Sequence, residues 1–357
     1  MRQATAILFQ THFFDRWCAR AFRRLTAACP ASYRPVVLIH LPAAVPVPQL
    51  LQGVPHHVVR TPELRLPAYP AKSGGAAWNL WQGGHTDLIF LHYARAHPEH
   101  AYYWSIEYDV RFSGDWSRFF SAFADDSADL LAPAILPRSA DPGWYNWDSL
   151  TSPSPLPESE QLRAFLPVFR ASAALVSAVD EAYRAGWGGH CEGTWPSLAR
   201  AAGLSVCDLG GDGPFTPPRY RGRFYSSTPL SESLAPGTFI FKPPLYRPGR
   251  KPEMLWHPVK PFFWRAEVKE GLRDMRRRAG ILVRGLASLA GIRLPPTLQE
   301  GAFEAAARRR SRRAGTKAAR PRVVGSEHTA IAKSETSQPL RCNQPCQGAL
   351  SRRNGTP

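Results

Sequence analysis

The sequence predicts an α/β protein whose sheet is mixed, mostly parallel and flanked by helices. Three observations predict it. The first 40 residues read as strand, helix, strand; short apolar runs bounded by turn residues then keep alternating with helix-period segments; and 357 residues at 44% apolar content supply a core of domain size. Small stapled scaffolds are excluded by the same length.

Ala6 to Phe9 is a short apolar run, Phe13 to Ala28 carries apolar residues at helical spacing, and Val36 to Ile39 is a second apolar run, which together make a βαβ opening. A proline-rich connection leads to Val58-Val59, a third short strand, and then to the turn-rich stretch from Pro67 to Gly75. His85 to Ala96 suits a helix ending before His97-Pro98. Tyr102 to Ile106 (YYWSI) is aromatic and β-prone and delivers Glu107 and Asp109 at its carboxyl end. Ser117 to Ala124 reads as a helix, and Asp129 to Ala132 as a strand stopped by Pro133. Residues 141–160 are loop-like, with Trp144, Tyr145 and Trp147 either forming a lid or packing on the surface. Residues 160–185 read as helical, and a short helix is expected to begin at Thr194-Trp195-Pro196.

The formal charge of +17 is unevenly spread. Residues 1–264 hold 25 Lys/Arg against 21 Asp/Glu, whereas residues 265–357 hold 20 against 7. The basic excess therefore belongs to a C-terminal appendage. From Arg265 to Ile292 apolar residues recur every three or four positions between arginines, which predicts a basic amphipathic helix. Residues 293–357 lack the apolar content to offset the entropy of ordering and are read as a disordered basic tail. Three roles stay open for the helix: docking onto the core, lying on an anionic membrane surface, and attracting nucleic acid, the last ranked lowest. No apolar run approaches the roughly 18 residues of a membrane span, and six scattered cysteines make no dense disulfide framework. The expected location is cytoplasmic, with peripheral association on the inner face of the membrane as an extension of it.

Two carboxylates one residue apart at a strand terminus turn toward one crevice and offer oxygen ligands to a divalent ion, Mg²⁺ or Mn²⁺, that also takes diphosphate oxygens. Glu107 and Asp109 follow a βαβ opening and a helix, where a mid-sheet strand falls and where open α/β sheets bind ligands. Lys72 and Ser73 beside Gly74-Gly75 are compatible with a phosphate contact, although no P-loop pattern is present.

The runs ILFQTHFFDR, YYWSIEYDVRFSGDW and DLLAP, followed by HCEGTWPSLARAAGL and LWHPVK, resemble the GT-A class of nucleotide-sugar glycosyltransferases. More narrowly, they resemble an uncharacterised glycosyltransferase-like family found in bacteria and fungi, over residues 4–262. The resemblance implies a single GT-A-like (Rossmann-like) domain over residues 1–264. It also implies transfer of a sugar from a nucleotide-diphosphate donor to a hydroxyl of a glycan or glycolipid acceptor. Glu107 and Asp109 stand at the D-x-D position that binds the metal and the donor diphosphate, with Glu in place of the first Asp and Asp109 as the firmer ligand. On the same pattern His257 is a late metal ligand, against a surface histidine as the alternative, and Lys260 offsets phosphate charge or faces water. Glu192 is the candidate general base, or a helix N-terminal carboxylate favoured by the dipole, and Asp212 in a glycine loop is a second candidate base. Gln10, Thr11 and His12 follow the first strand where GT-A folds bind the nucleotide base, against a loop in which Thr11 or Asp15 caps the helix. The competing reading is a non-catalytic protein of this fold whose basic C-terminus associates with membrane or nucleic acid.

Overall fold

The computed structural model describes residues 5–74, 78–226, 237–241 and 244–260. The basic helix expected over 265–292 and the tail over 293–357 lie outside the described residues. The chain opens with β1 (Thr5–Thr11), α1 (Arg16–Ala27), β2 (Tyr33–Leu41) and β3 (His56–Arg60), as the βαβ pattern requires. Asp15 caps α1, its carboxylate accepting from the backbone N–H groups of Trp17 and Cys18 at 2.9 Å each. A short helix α2 (Pro70–Ser73) and then α3 (Asp87–Ala96) lead into β4 (Tyr102–Glu107) and β5 (Arg111–Phe112). The middle of the chain supplies α4 (Trp116–Ala122), β6 (Leu130–Ala132), β7 (Leu136–Pro137), β8 (Leu162–Arg163) and β9 (Val168–Ser172). Helices α5 (Ala173–Arg184) and α6 (Cys191–Ala201) precede β10 (Val206–Asp208), and β11 (Leu255–Trp256) lies near the end of the described residues.

Seven strands form one sheet in the order β10-β6-β9-β4-β1-β2-β3. Every neighbouring pair is parallel except those of β9, which runs antiparallel to both β4 and β6. The α/β class, with a mostly parallel sheet between helical layers, is thus the observed architecture. Side chains of β1 alternate between its two faces: Ala6 and Leu8 pack with α3, α5 and α6, while Ile7 and Phe9 pack with α1 and α4. On the second face Trp104, fully buried, lies against Phe119, Phe120 and Phe123 with ring centroids 5.4, 5.9 and 5.8 Å away.

The helix expected over 160–185 is corrected at its front half. Residues 162–163 and 168–172 are strands, and helix begins only at Ala173, capped by Ser172 whose hydroxyl accepts from Leu175 N–H at 3.0 Å. Pro167 removes a donor a helix would need, and the apolar run around it carries no period that separates a buried strand from a buried helix. Likewise α6 begins at Cys191, not Thr194, with His190 as its cap.

The expectation that Lys72 contacts a phosphate is corrected by its burial. Its ammonium is wholly enclosed, 3.0 Å from Asp87 Oδ1, and donates to the carbonyls of Gly84 and Gly189 at 3.2 and 2.8 Å. Asp87 also accepts from Tyr183 Oη at 2.5 Å and Trp195 Nε1 at 2.9 Å, so this polar network ties α2, α3, α5 and α6 together beneath two loops. Removing one partner strands a buried charge. Lys72→Met is expected to lose about 3–5 kcal/mol of unfolding free energy, whereas Arg118→Met, which breaks the exposed Arg118–Glu253 pair, should leave it nearly unchanged. Urea titrations of the two variants check this, and equal losses would contradict it.

Candidate functional site

From β1 the chain steps outward to β2 and β3 and then returns to β4 on the other flank of β1. The strand order therefore reverses between β1 and β4, and ligands of open α/β sheets bind at the carboxyl ends of the strands beside such a point. A cleft of about 690 Å³ lies there, within the usual range for small-molecule sites. Its lining includes Gln10 and Thr11 at the end of β1 with His12 just beyond, Glu107 closing β4 with Asp109 just beyond, Glu192 in the first turn of α6, and His257 and Lys260 after β11.

Backbone hydrogen bonds fix the turn that carries the carboxylates. Tyr108 N–H donates to Gln10 O at 2.9 Å and Val110 N–H to Glu107 O at 3.0 Å. Antiparallel pairing of β11 with β5 sets Trp256 opposite Arg111, and Val259 N–H donates to Asp109 O at 2.7 Å, which brings His257 over the turn. His257 Nε2 lies 3.6 Å from Asp109 Oδ1 and 3.9 Å from Glu107 Oε2. One potential ligand atom from each of the three residues falls within 4.8 Å of the others.

The donor set fits a divalent cation. His257 Nδ1 is 2.8 Å from Ile240 O; a carbonyl only accepts, so the proton sits on Nδ1 and Nε2 presents a lone pair. Asp109 Oδ1 is buried without a hydrogen-bond partner, while Oδ2 lies 3.6 Å from Lys260 Nζ. Ligands about 2.1 Å from one ion are roughly 3–4 Å apart, close to the observed separations. Burial pushes the imidazolium form of His257 down against the pull of Asp109, which keeps the ring neutral as a ligand must be.

The remaining electrostatics divide by cause. Glu107, enclosed by protein though 29% of its side chain stays open to the cleft, is pushed up to about 8 by burial and then by the Asp109 and Glu192 carboxylates. Glu192 is pushed up to about 7 by burial, opposed by the Leu166 N–H 3.3 Å from its Oε1 and by Arg163. His12 is pushed down to about 4, by burial first and by Lys260 second. Its ring meets Trp81 and Tyr108 edge-on at 5.3 and 5.1 Å.

Eight of the residues singled out in the sequence thus line one cleft, and two do not. Lys72 is buried outside it. Asp212, the second candidate base, is corrected: it is exposed in the loop after β10, with three strands between β10 and β1 in the sheet, and is absent from the cleft lining. Glycines around it pack the loop against Tyr225 and leave its carboxylate facing solvent. The cleft also recruits residues the sequence reading passed over. His190 caps α6, its Nδ1 accepting from Glu192 N–H at 3.3 Å, and it is legible only as the neighbour of Glu192 in GGHCEG. Trp81 and Phe241 stand at the lining with 52 and 51% of their surface exposed, beside Tyr145 of the aromatic loop at 61%. Of the aromatic residues in the 141–160 loop, Trp144 and Trp147 are packed into the protein and Tyr145 stands at the cleft.

No protein-family model matches the chain, and no curated protein matches it. Among solved structures it is similar to mouse xyloside xylosyltransferase 1 in its apo form, at 13% identity and a TM-score of 0.31, covering 58% of this chain and 84% of that one. It is also similar to the inositol-1-phosphate CTP transferase from T. maritima, at 12% identity and a TM-score of 0.31, with the same coverages. Likeness at that level carries nothing about substrate or mechanism. No helix among the described residues is long and apolar enough to cross a membrane.

Glu192 yields a signed prediction. Its folded-state pKa lies above the ordinary 4.5, so its contribution to stability is complete below that value and is lost as pH rises toward 7. The glutamine variant carries no such loss. In metal-free protein Glu192→Gln should gain stability relative to wild type between pH 5 and 8, read from urea midpoints; a difference that stays constant or moves the other way contradicts the assignment.

Proposed function

We propose that the protein is a metal-dependent glycosyltransferase that moves a sugar from a nucleotide-diphosphate donor to a hydroxyl of a glycan or glycolipid acceptor. One observation carries the reading: Glu107, Asp109 and the Nε2 lone pair of His257 converge in a cleft at the strand-order reversal. Asp109 through Oδ1, His257 through Nε2 and Glu107 through its carboxylate would hold Mn²⁺ or Mg²⁺, and a nitrogen ligand suits Mn²⁺ better. A bound ion supplies Lewis acidity that stabilises charge on a departing diphosphate.

The chain's own residues supply the rest. Lys260, beside Asp109, offsets phosphate charge. Gln10, Thr11 and the neutral His12 offer hydrogen-bonding groups and a ring edge to the nucleoside on the β1 side of the cleft. Glu192 holds a carboxyl that exchanges its proton near neutral pH, the property of a base that takes the acceptor hydroxyl's proton as the new glycosidic bond forms. Its position in the same cleft as the carboxylate turn, on a different element, suits a base on the acceptor side.

Two measurements test this. Thermal shift with UDP and GDP should show stabilisation that requires Mn²⁺ and disappears in Asp109→Asn. With the donor so identified, Glu192→Gln should lower kcat by about 10²–10⁴-fold while nucleotide affinity changes less than threefold. Metal-independent nucleotide binding, or salt-sensitive polyanion binding alone, would instead favour the non-catalytic alternative.

A further inference from the structure

A second concavity, about 1100 Å³ and larger than the cleft, lies on the opposite side of the Tyr108–Arg111 turn, where α1, the start of α4 and residues 246–248 come together. Trp17, half-buried, backs the concavity together with Leu25, Phe112, Trp116 and Val259, each at most 9% exposed. Arg20 and Arg24 stand one helical turn apart on α1, Arg247 comes from the 246–248 segment and Arg111 from β5. Asp115 is the single acidic residue of the lining, and its carboxylate already caps α4 through Ser117 N–H at 2.9 Å.

The arginines are not accounted for by the fold. Helix α1 carries four of them, at 16, 20, 23 and 24, and no acidic residue, although like charges one turn apart weaken a helix. Arg20, Arg24 and Arg247 are exposed and make no ion pair among the described residues. Arg111 lies with its guanidinium 3.9 Å from the centre of the Trp17 ring, and its Nη1 donates to the carbonyls of Tyr108 and Val110. Its Nη2 is buried with no hydrogen-bond partner. Arg111 Nη2 is closed off from solvent, so the donors open to a ligand are the three exposed guanidinium groups of Arg20, Arg24 and Arg247 around the concavity, a set that suits an anion.

We propose that this groove binds an amphiphile with an anionic, phosphate-type head and an aliphatic or isoprenoid tail. A free phosphate would meet the arginines and leave the lining at Trp17 uncovered; a neutral lipid would cover that lining and leave the like charges uncompensated. Only a molecule with both parts answers both features. The groove is separate from the cleft and the proposal does not depend on the transferase reading.

The test uses the full chain and a diazirine-bearing dodecyl phosphate, with labelled peptides mapped by mass spectrometry. Saturable labelling is expected within residues 17–30, 110–121 or 244–248. Dodecyl phosphate should compete, whereas inorganic phosphate, dodecyl maltoside and polyglutamate should not. The Arg20→Ser/Arg24→Ser/Arg247→Ser variant should lose labelling at these peptides at least tenfold, with an unchanged circular dichroism spectrum and melting temperature. Labelling confined to residues 261–357 or to the cleft, equal competition by any of the three controls, or insensitivity to the arginine changes would overturn the proposal.

Discussion

Electron-pair donors from three residues face one another across the end of the sheet, and without a cation nothing among them attracts. Asp109 Oδ1 has no hydrogen-bond partner, His257 turns a lone pair toward it, and Glu107 adds a carboxyl that protein and neighbouring charge disfavour as an anion. A protein holds such a group together only when its backbone over-determines it. Here two independent pairings do so: β4 beside β1 fixes the carboxylate turn, and β11 on β5 fixes the histidine. The surrounding cleft inherits its chemistry from that constraint, since Glu107 responds to Asp109, Glu192 and Lys260, and His12 to Lys260 and Asp109.

Local chemistry was legible and distant pairing was not. The βαβ opening, β4 and its terminal carboxylates could be read because strand propensity, proline stops and a two-residue spacing are all written within a few positions. His257 could be nominated only through family resemblance, because the bridge that carries it to Asp109 is a two-residue pairing with no periodicity to detect. Its tautomer depends on the carbonyl of Ile240, which no sequence pattern encodes. Lys72 shows the opposite failure. Adjacent glycines imitate a phosphate loop, while the partner that claims its ammonium, Asp87, lies in a helix whose sequence looks like an ordinary acidic first turn. Asp212 fails for a topological reason: its glycine loop lies beyond β10 at the sheet edge, and strand order is invisible in one sequence.

Glu192 resolves a pair of readings that seemed exclusive. It is a first-turn helix carboxylate and it also lines the cleft, because α6 begins three residues earlier than its tryptophan-proline signal suggests and His190 takes the cap. The position that a helix dipole favours is thus also one from which a carboxyl meets the ligand space. Lys72 contributes from beneath: by holding the carbonyls of Gly84 and Gly189 it steadies the loops that carry His190 and the cleft wall. Buried polar work of this kind positions a site without belonging to it.

The measurement that bears most directly on the carboxylate and histidine centre is pulsed electron paramagnetic resonance of Mn²⁺ added to the full chain. One bound ion with a directly coordinated ¹⁴N signal is expected, lost in His257→Gln, and joined by ³¹P coupling when a nucleoside diphosphate is added. Bound Mn²⁺ with neither a nitrogen coupling nor sensitivity to His257 would contradict the account.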